Sequence, residues 1–204
     1  MLKFVGVWLG LVVASSAALA DSASDCFQEV GDFSRQITAC TDLIQQNPSA
    51  KDDLADAYIS RGHAYMTAGN FDGAITDYTR AIELIPDDAT IYDKRARAYS
   101  EKGDYDHAIV DFVGAISIDP NDAQIYNDRA WIYFKAGKAT EGLADANKSL
   151  EMRPNDAHTL DTRGHIFEAL GRRVEAAADF RNAVALNPEL KSSIDGLARL
   201  GASP

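Results

Sequence analysis

His158, Asp161, His165 and Glu168 follow one another at steps of three, four and three, so on a helix they would share one face. Imidazoles and carboxylates in that arrangement could ligate zinc or exchange protons as acid and base. The spacing weakens the first use. The histidines lie seven residues apart, about 10.5 Å of helical rise, whereas zinc-binding helices place paired histidines four apart. Further ligands would have to come from a neighbouring helix. Cys26 and Cys40 are the second candidate group, and an even count in an exported chain suggests a disulfide. Two free buried thiols or half of a metal site are the competing readings, but no histidine or second cysteine pair lies nearby in sequence. A loop of fifteen residues closed by that bond would contribute about 3 kcal/mol in the chain-entropy model.

Arginine and aspartate recur sixteen residues apart: Arg61 and Asp77, Arg95 and Asp111, Arg129 and Asp145, Arg163 and Asp179. An active site needs one constellation, while a structural ladder needs one per rung. Four copies in register are expected to tie paired helices together. The chain has no Gly-rich phosphate loop, no Gly-x-Ser-x-Gly elbow and no His-Glu-x-x-His. These residues imply no cofactor, no bound metal and no enzyme.

The elements that must position these residues repeat every 34 residues, in units 55–88, 89–122, 123–156 and 157–190. Each unit has a glycine midway (Gly69, Gly103, Gly137, Gly171) and a proline near its end (Pro86, Pro120, Pro154, Pro188). Between them apolar residues recur three and four apart, as a helix face requires. The glycine ends the first helix and the proline stops the second, which gives a helix–turn–helix hairpin. Small residues are expected where helices cross: Gly62, Ala74 and Ala81, then Ala96, Ala108 and Ala115, then Ala130, Gly142 and Ser149, then Gly164, Ala177 and Ala183. Aromatics fill the spaces between, and Tyr65, Tyr99 and Tyr133 are expected in equivalent buried slots. Ala139 and Ala146 stand where aromatics are expected, so the second helix of the third unit should be thinner or more loosely packed. No hairpin can bury its apolar face alone, so the units must stack.

Outside the array, residues 1–20 read as a cleavable signal peptide: Lys3, an apolar run from Phe4 to Val13, and the small-x-small Ala18-Leu19-Ala20. That run is short for a permanent span, so no stable membrane insertion is expected after cleavage. Residues 21–54 form a degenerate N-terminal cap, and 191–204 a C-terminal capping helix and tail, with Ile194, Leu197 and Ala198 as its apolar side. The chain carries 31 acidic against 20 basic residues, a net charge of −11. Such a chain repels phosphate backbones and anionic lipid heads, so nucleic acid is excluded and a basic peptide or protein surface is favoured.

The recurring pattern of tyrosine, Arg-Gly or Arg-Ala, tyrosine, glycine, alanine, aromatic, alanine and proline over 55–190 resembles the tetratricopeptide repeat (TPR) signature. The chain as a whole resembles small exported bacterial TPR proteins with a similar cysteine pair. The resemblance implies an all-α, right-handed superhelical solenoid whose leading helices line a concave, partner-binding face. In this sequence the implied groove residues include Ile59, His63, Met66, Asp93, Arg97, Asn127, Trp131, Phe134, Lys135, Asp161, His165 and Glu168. Trp131 and Phe134 are either exposed anchors for a partner or folded inward. The function implied is a protein-binding scaffold or assembly factor, periplasmic or secreted. The alternatives are a metal-dependent enzyme using the His158 face and a self-associating module; the oligomeric state is not encoded legibly.

Overall fold

The computed structural model describes residues 23–27, 32–46 and 50–203; the expected signal peptide and Pro48 lie outside them. Among the described residues every regular element is a helix. A short α1 (23–27) precedes α2 (Phe33–Gln45). Four hairpins follow: α3 (Lys51–Thr67) with α4 (Phe71–Leu84), α5 (Ala89–Glu101) with α6 (Tyr105–Ile118), α7 (Ala123–Lys135) with α8 (Ala139–Met152), and α9 (Ala157–Ala169) with α10 (Arg173–Leu186). α11 (Lys191–Leu200) closes the stack. The protein is a helical solenoid.

Local chemistry sets the breaks. Gly69, Gly103, Gly137 and Gly171 all take φ between 74° and 78°, the left-handed region that ends a helix without strain in glycine alone. The next amide then returns to the last helical turn, as in Asn70 N to Tyr65 O at 2.8 Å. Asn70 and Asp104 cap α4 and α6 through their side chains, whereas Lys138 and Arg172 give α8 and α10 no such cap.

Packing follows the expected alternation of small and large. A Cβ on Gly62 would meet the Tyr78 ring at 2.7 Å, and one on Gly164 the Phe180 ring at 2.6 Å. In the fourth unit Ala176, fully buried, rather than Ala177 holds the register position of Ala74 and Ala108. Tyr65, Tyr99 and Tyr133 do take equivalent places but are half-buried, not buried; an amphipathic ring keeps its polar tip near water.

The third hairpin is thinner but not looser. A Cβ on Gly142 would lie 2.8 Å from the backbone oxygen of Ala130, so α8 closes tightly on α7. Beside Ala146 the missing ring is replaced by Ile166 from the next hairpin, with Leu143 and Phe134 packed around it. The equivalent contact in the first hairpin pairs a large Tyr78 with a small Ala98. Bulk has moved across the seam, which preserves packing density.

The four Arg–Asp pairs are forks. In each, arginine Nε and Nη2 donate to the two carboxylate oxygens at 2.6–2.9 Å. The aspartates are only 2–7 % exposed, and the hydrogen bond it donates to Asp111 holds the Arg95 guanidinium above its ordinary value. Arg61, Arg95 and Arg163 also donate through Nη1 to the second helix of the preceding hairpin, at Thr41, Thr79 and Asn147. At Arg129 the matching position is Val113, which offers no acceptor and is 49 % exposed.

At the N-terminal end the Cys26–Cys40 disulfide joins α1 to α2, with both cysteines fully buried. Gln36 Nε2 donates to the Cys26 carbonyl at 3.0 Å beside it. At the other end the buried face of α11 differs from the expected one. Ser193, Gly196 and Leu197 face inward, while Ile194 and Ala198 face solvent. The reason is what α9 and α10 present: a Cβ on Gly196 would strike Phe180 at 2.6 Å, and Ser193 is bonded to Asp161.

Candidate functional site

The leading helices α3, α5, α7 and α9, with α11 as a fifth, bring side chains together in three adjoining depressions. The first lies between α3 and α5, with His63, Met66, Asp93 and Arg97 on its walls. The second lies between α5 and α7, where Arg97, Glu101, Asp128 and Trp131 surround a floor made by Phe112. The third, of about 420 Å³, is bounded by Trp131, Phe134, His165, Glu168, Ala169 and Arg199. Arg97 belongs to the first two and Trp131 to the last two, so the three form one continuous line.

The expected groove residues divide. Eight of the twelve line these depressions: His63, Met66, Asp93, Arg97, Trp131, Phe134, His165 and Glu168. Ile59 instead packs half-buried against the core around Tyr78. Lys135 is exposed outside the depressions. Asn127 is buried, its amide oxygen carrying no hydrogen-bond donor, while its Nδ2 reaches Asp128 at 3.4 Å. Trp131 and Phe134 are half-buried, midway between the two readings of them. Their ring centroids stand 5.1 Å apart and each is 5.8 Å from His165. Such tilted and edge-on contacts hold the rings in place without covering their outer faces.

Charges in the groove are shared rather than sealed. Arg97 bonds both Asp93 of its own helix and Asp128 of α7. Burial pushes the Asp128 carboxyl above its ordinary value, against the pull of Arg97. In the third depression Arg199 forks Glu168 at 2.8 and 3.2 Å, which holds that carboxyl below its usual range. Burial lowers His165, with Arg199 adding to the effect and Asp161 and Glu168 opposing it.

Asp161, expected in the open groove, is 9 % exposed and accepts hydrogen bonds from Ser192 and Ser193 of α11. These hydroxyls therefore face a carboxylate and not the imidazole, so His165 is not placed to take a proton from either. His158 stands apart, exposed. Among the described residues no three His, Cys, Asp or Glu side chains are grouped to hold a metal ion.

Asp128 and Arg199 were not singled out from the sequence. Arg199 could have been found: it lies 34 residues after His165, so the repeat register runs on past residue 190 into α11. Asp128 sits one place beyond a position expected to face inward, and no periodicity marks it.

A TPR repeat model matches residues 62–103 and again 96–137, and a tetratricopeptide repeat model matches 123–156. These are tetratricopeptide repeats. Among solved structures, a tetratricopeptide repeat protein from Parabacteroides merdae is similar at a TM-score of 0.79 and 18 % identity, over 90 % of this chain and 71 % of that one. YrrB, described as a TPR protein with an unusual peptide-binding site, is similar at 0.72 and 14 %, over 89 % and 90 %. The first TPR of Spaghetti (RPAP3), bound to an HSP90 peptide, is similar at 0.54 and 23 %, over 55 % and 90 %. At these identities the likeness is one of fold. TPR proteins are typically non-catalytic interaction modules.

Proposed function

We propose that this TPR protein is a non-catalytic scaffold or assembly factor of the bacterial cell envelope that holds a partner polypeptide along its leading helices. One observation carries the reading: three depressions in a line, joined by Arg97 and Trp131, that can seat successive side chains of one extended segment. Two similar folds are described with peptide sites or peptides. The acidic balance of the chain favours a basic partner. Export to the periplasm or beyond is supported by the N-terminal residues and by a buried disulfide, a bond that persists in oxidising compartments. A metal-dependent enzyme is a weaker reading, because Asp161 and Glu168 are already engaged by α11.

Pull-down from envelope extract with the wild-type protein and with Trp131→Ala/Phe134→Ala tests the groove. Partner recovery should collapse in the double variant at unchanged helical content. Equal recovery from both would remove the groove as the binding surface. Fractionation with N-terminal sequencing tests export: the mature chain should start at Asp21, and an uncleaved cytoplasmic protein would overturn it.

A further inference from the structure

The second and third depressions differ in chemistry, and that difference names a partner. In the second, carboxylates exceed cations: Arg97 is divided between Asp93 and Asp128, and Glu101 stands exposed beside them. Its volume of about 160 Å³ suits a slender unbranched stem. In the third, Glu168 has both oxygens taken by Arg199, and burial favours the neutral form of His165. What remains open there is the apolar lining of Trp131, Phe134 and Ala169, beside a resident cation that repels another. A positive side chain is therefore drawn to the second depression and excluded from the third.

The two depressions are separated by one leading helix, α7, and share Trp131. An α-helix with its side chains is about 10–12 Å across, and an extended chain advances about 3.3–3.6 Å per residue. Three residues of extended chain cover that interval. Resting on the groove reading above, we infer that this protein selects polypeptide segments carrying a lysine or arginine and a bulky apolar residue three positions apart. The basic group lies against Asp128 and Glu101, and the apolar group stands on Trp131 and Phe134.

Fluorescence anisotropy with labelled Gly/Ser-rich decapeptides tests this. Arg-x-x-Phe and Phe-x-x-Arg peptides are compared with versions carrying Glu for Arg, Ala for Phe, or Arg and Phe side by side. At least one order should bind, with each altered version at least tenfold weaker. Glu101→Gln should weaken the arginine peptide but not its Arg→Ala counterpart, and Ala169→Trp should weaken only peptides that carry the phenylalanine. Both sites are exposed, and unchanged circular dichroism confirms that the variants fold. Affinity indifferent to charge or spacing would overturn the inference. A random dodecamer array separates the two levels. Binding that is lost in Trp131→Ala but shows no basic–apolar pairing sinks this inference and leaves the groove standing. Binding to no member sinks both.

Discussion

The same residue pair, arginine and aspartate, serves two ends in two regions of the molecule. Within each hairpin Asp77, Asp111, Asp145 and Asp179 are nearly sealed, and each meets one guanidinium squarely with both oxygens. In the groove Arg97, with half its side chain exposed, divides itself between Asp93 and Asp128. Burial decides the outcome. A sealed pair cannot be separated without leaving a charge in a poor solvent, so it fixes register; an exposed pair contributes little to stability and stays available to a partner.

The sharpest way to break the comparison is to halve one pair of each kind. Asp111→Ala strands Arg95 and should cost about 3–5 kcal/mol, read as a clear fall in the thermal midpoint; an unchanged midpoint would mean the rung is effectively solvated. A gain of function sharpens it next. Val113→Thr supplies the acceptor that Thr79 provides for Arg95 and should stabilise by about 1 kcal/mol in urea titration. The third test uses acid. Because burial lowers His165, the native chain binds fewer protons there than the unfolded one between the lowered value and the ordinary 6.5. Its share of stability is complete above that ordinary value and falls as pH drops through the window. Glu168, lowered by Arg199, acts further down, its contribution present above 4.5 and lost as pH falls through its depressed value. Midpoints measured from pH 7.5 to 5 should fall in the wild type and flatten in His165→Leu; parallel slopes would place the titration elsewhere. Last, Arg97→Ala should cost less than about 1 kcal/mol in the same urea titration, because Gln124 still donates to the Asp128 carboxylate that loses its cation, while changing the salt dependence of peptide binding.

The solenoid was readable because its constraints recur: glycine at the turn, proline at the exit, small residues against rings, and arginine sixteen residues before aspartate. Repetition turned each into a register mark. The groove was only partly readable. Residues one repeat apart, such as Arg97, Trp131 and His165, could be placed on one side, yet nothing in their spacing said which charges were already taken. Asp161 was lost to Ser192 and Ser193 because α11 docks by what α9 and α10 offer it and not by its own apolar periodicity. The tightness of the third hairpin was hidden likewise, since a single Gly142 allows an approach that the neighbouring alanines suggest is loose.

The valine that replaces a hydroxyl beside Arg129 has a mechanical consequence. Three of the four guanidinium groups clasp the hairpin before their own, whereas across the junction of α6 and α7 the polar links are surface ones, Arg97 with Asp128 and Lys138 with Asp106. Stretched from its two ends, the coil would give way there first, parting into halves that each keep their clasps intact.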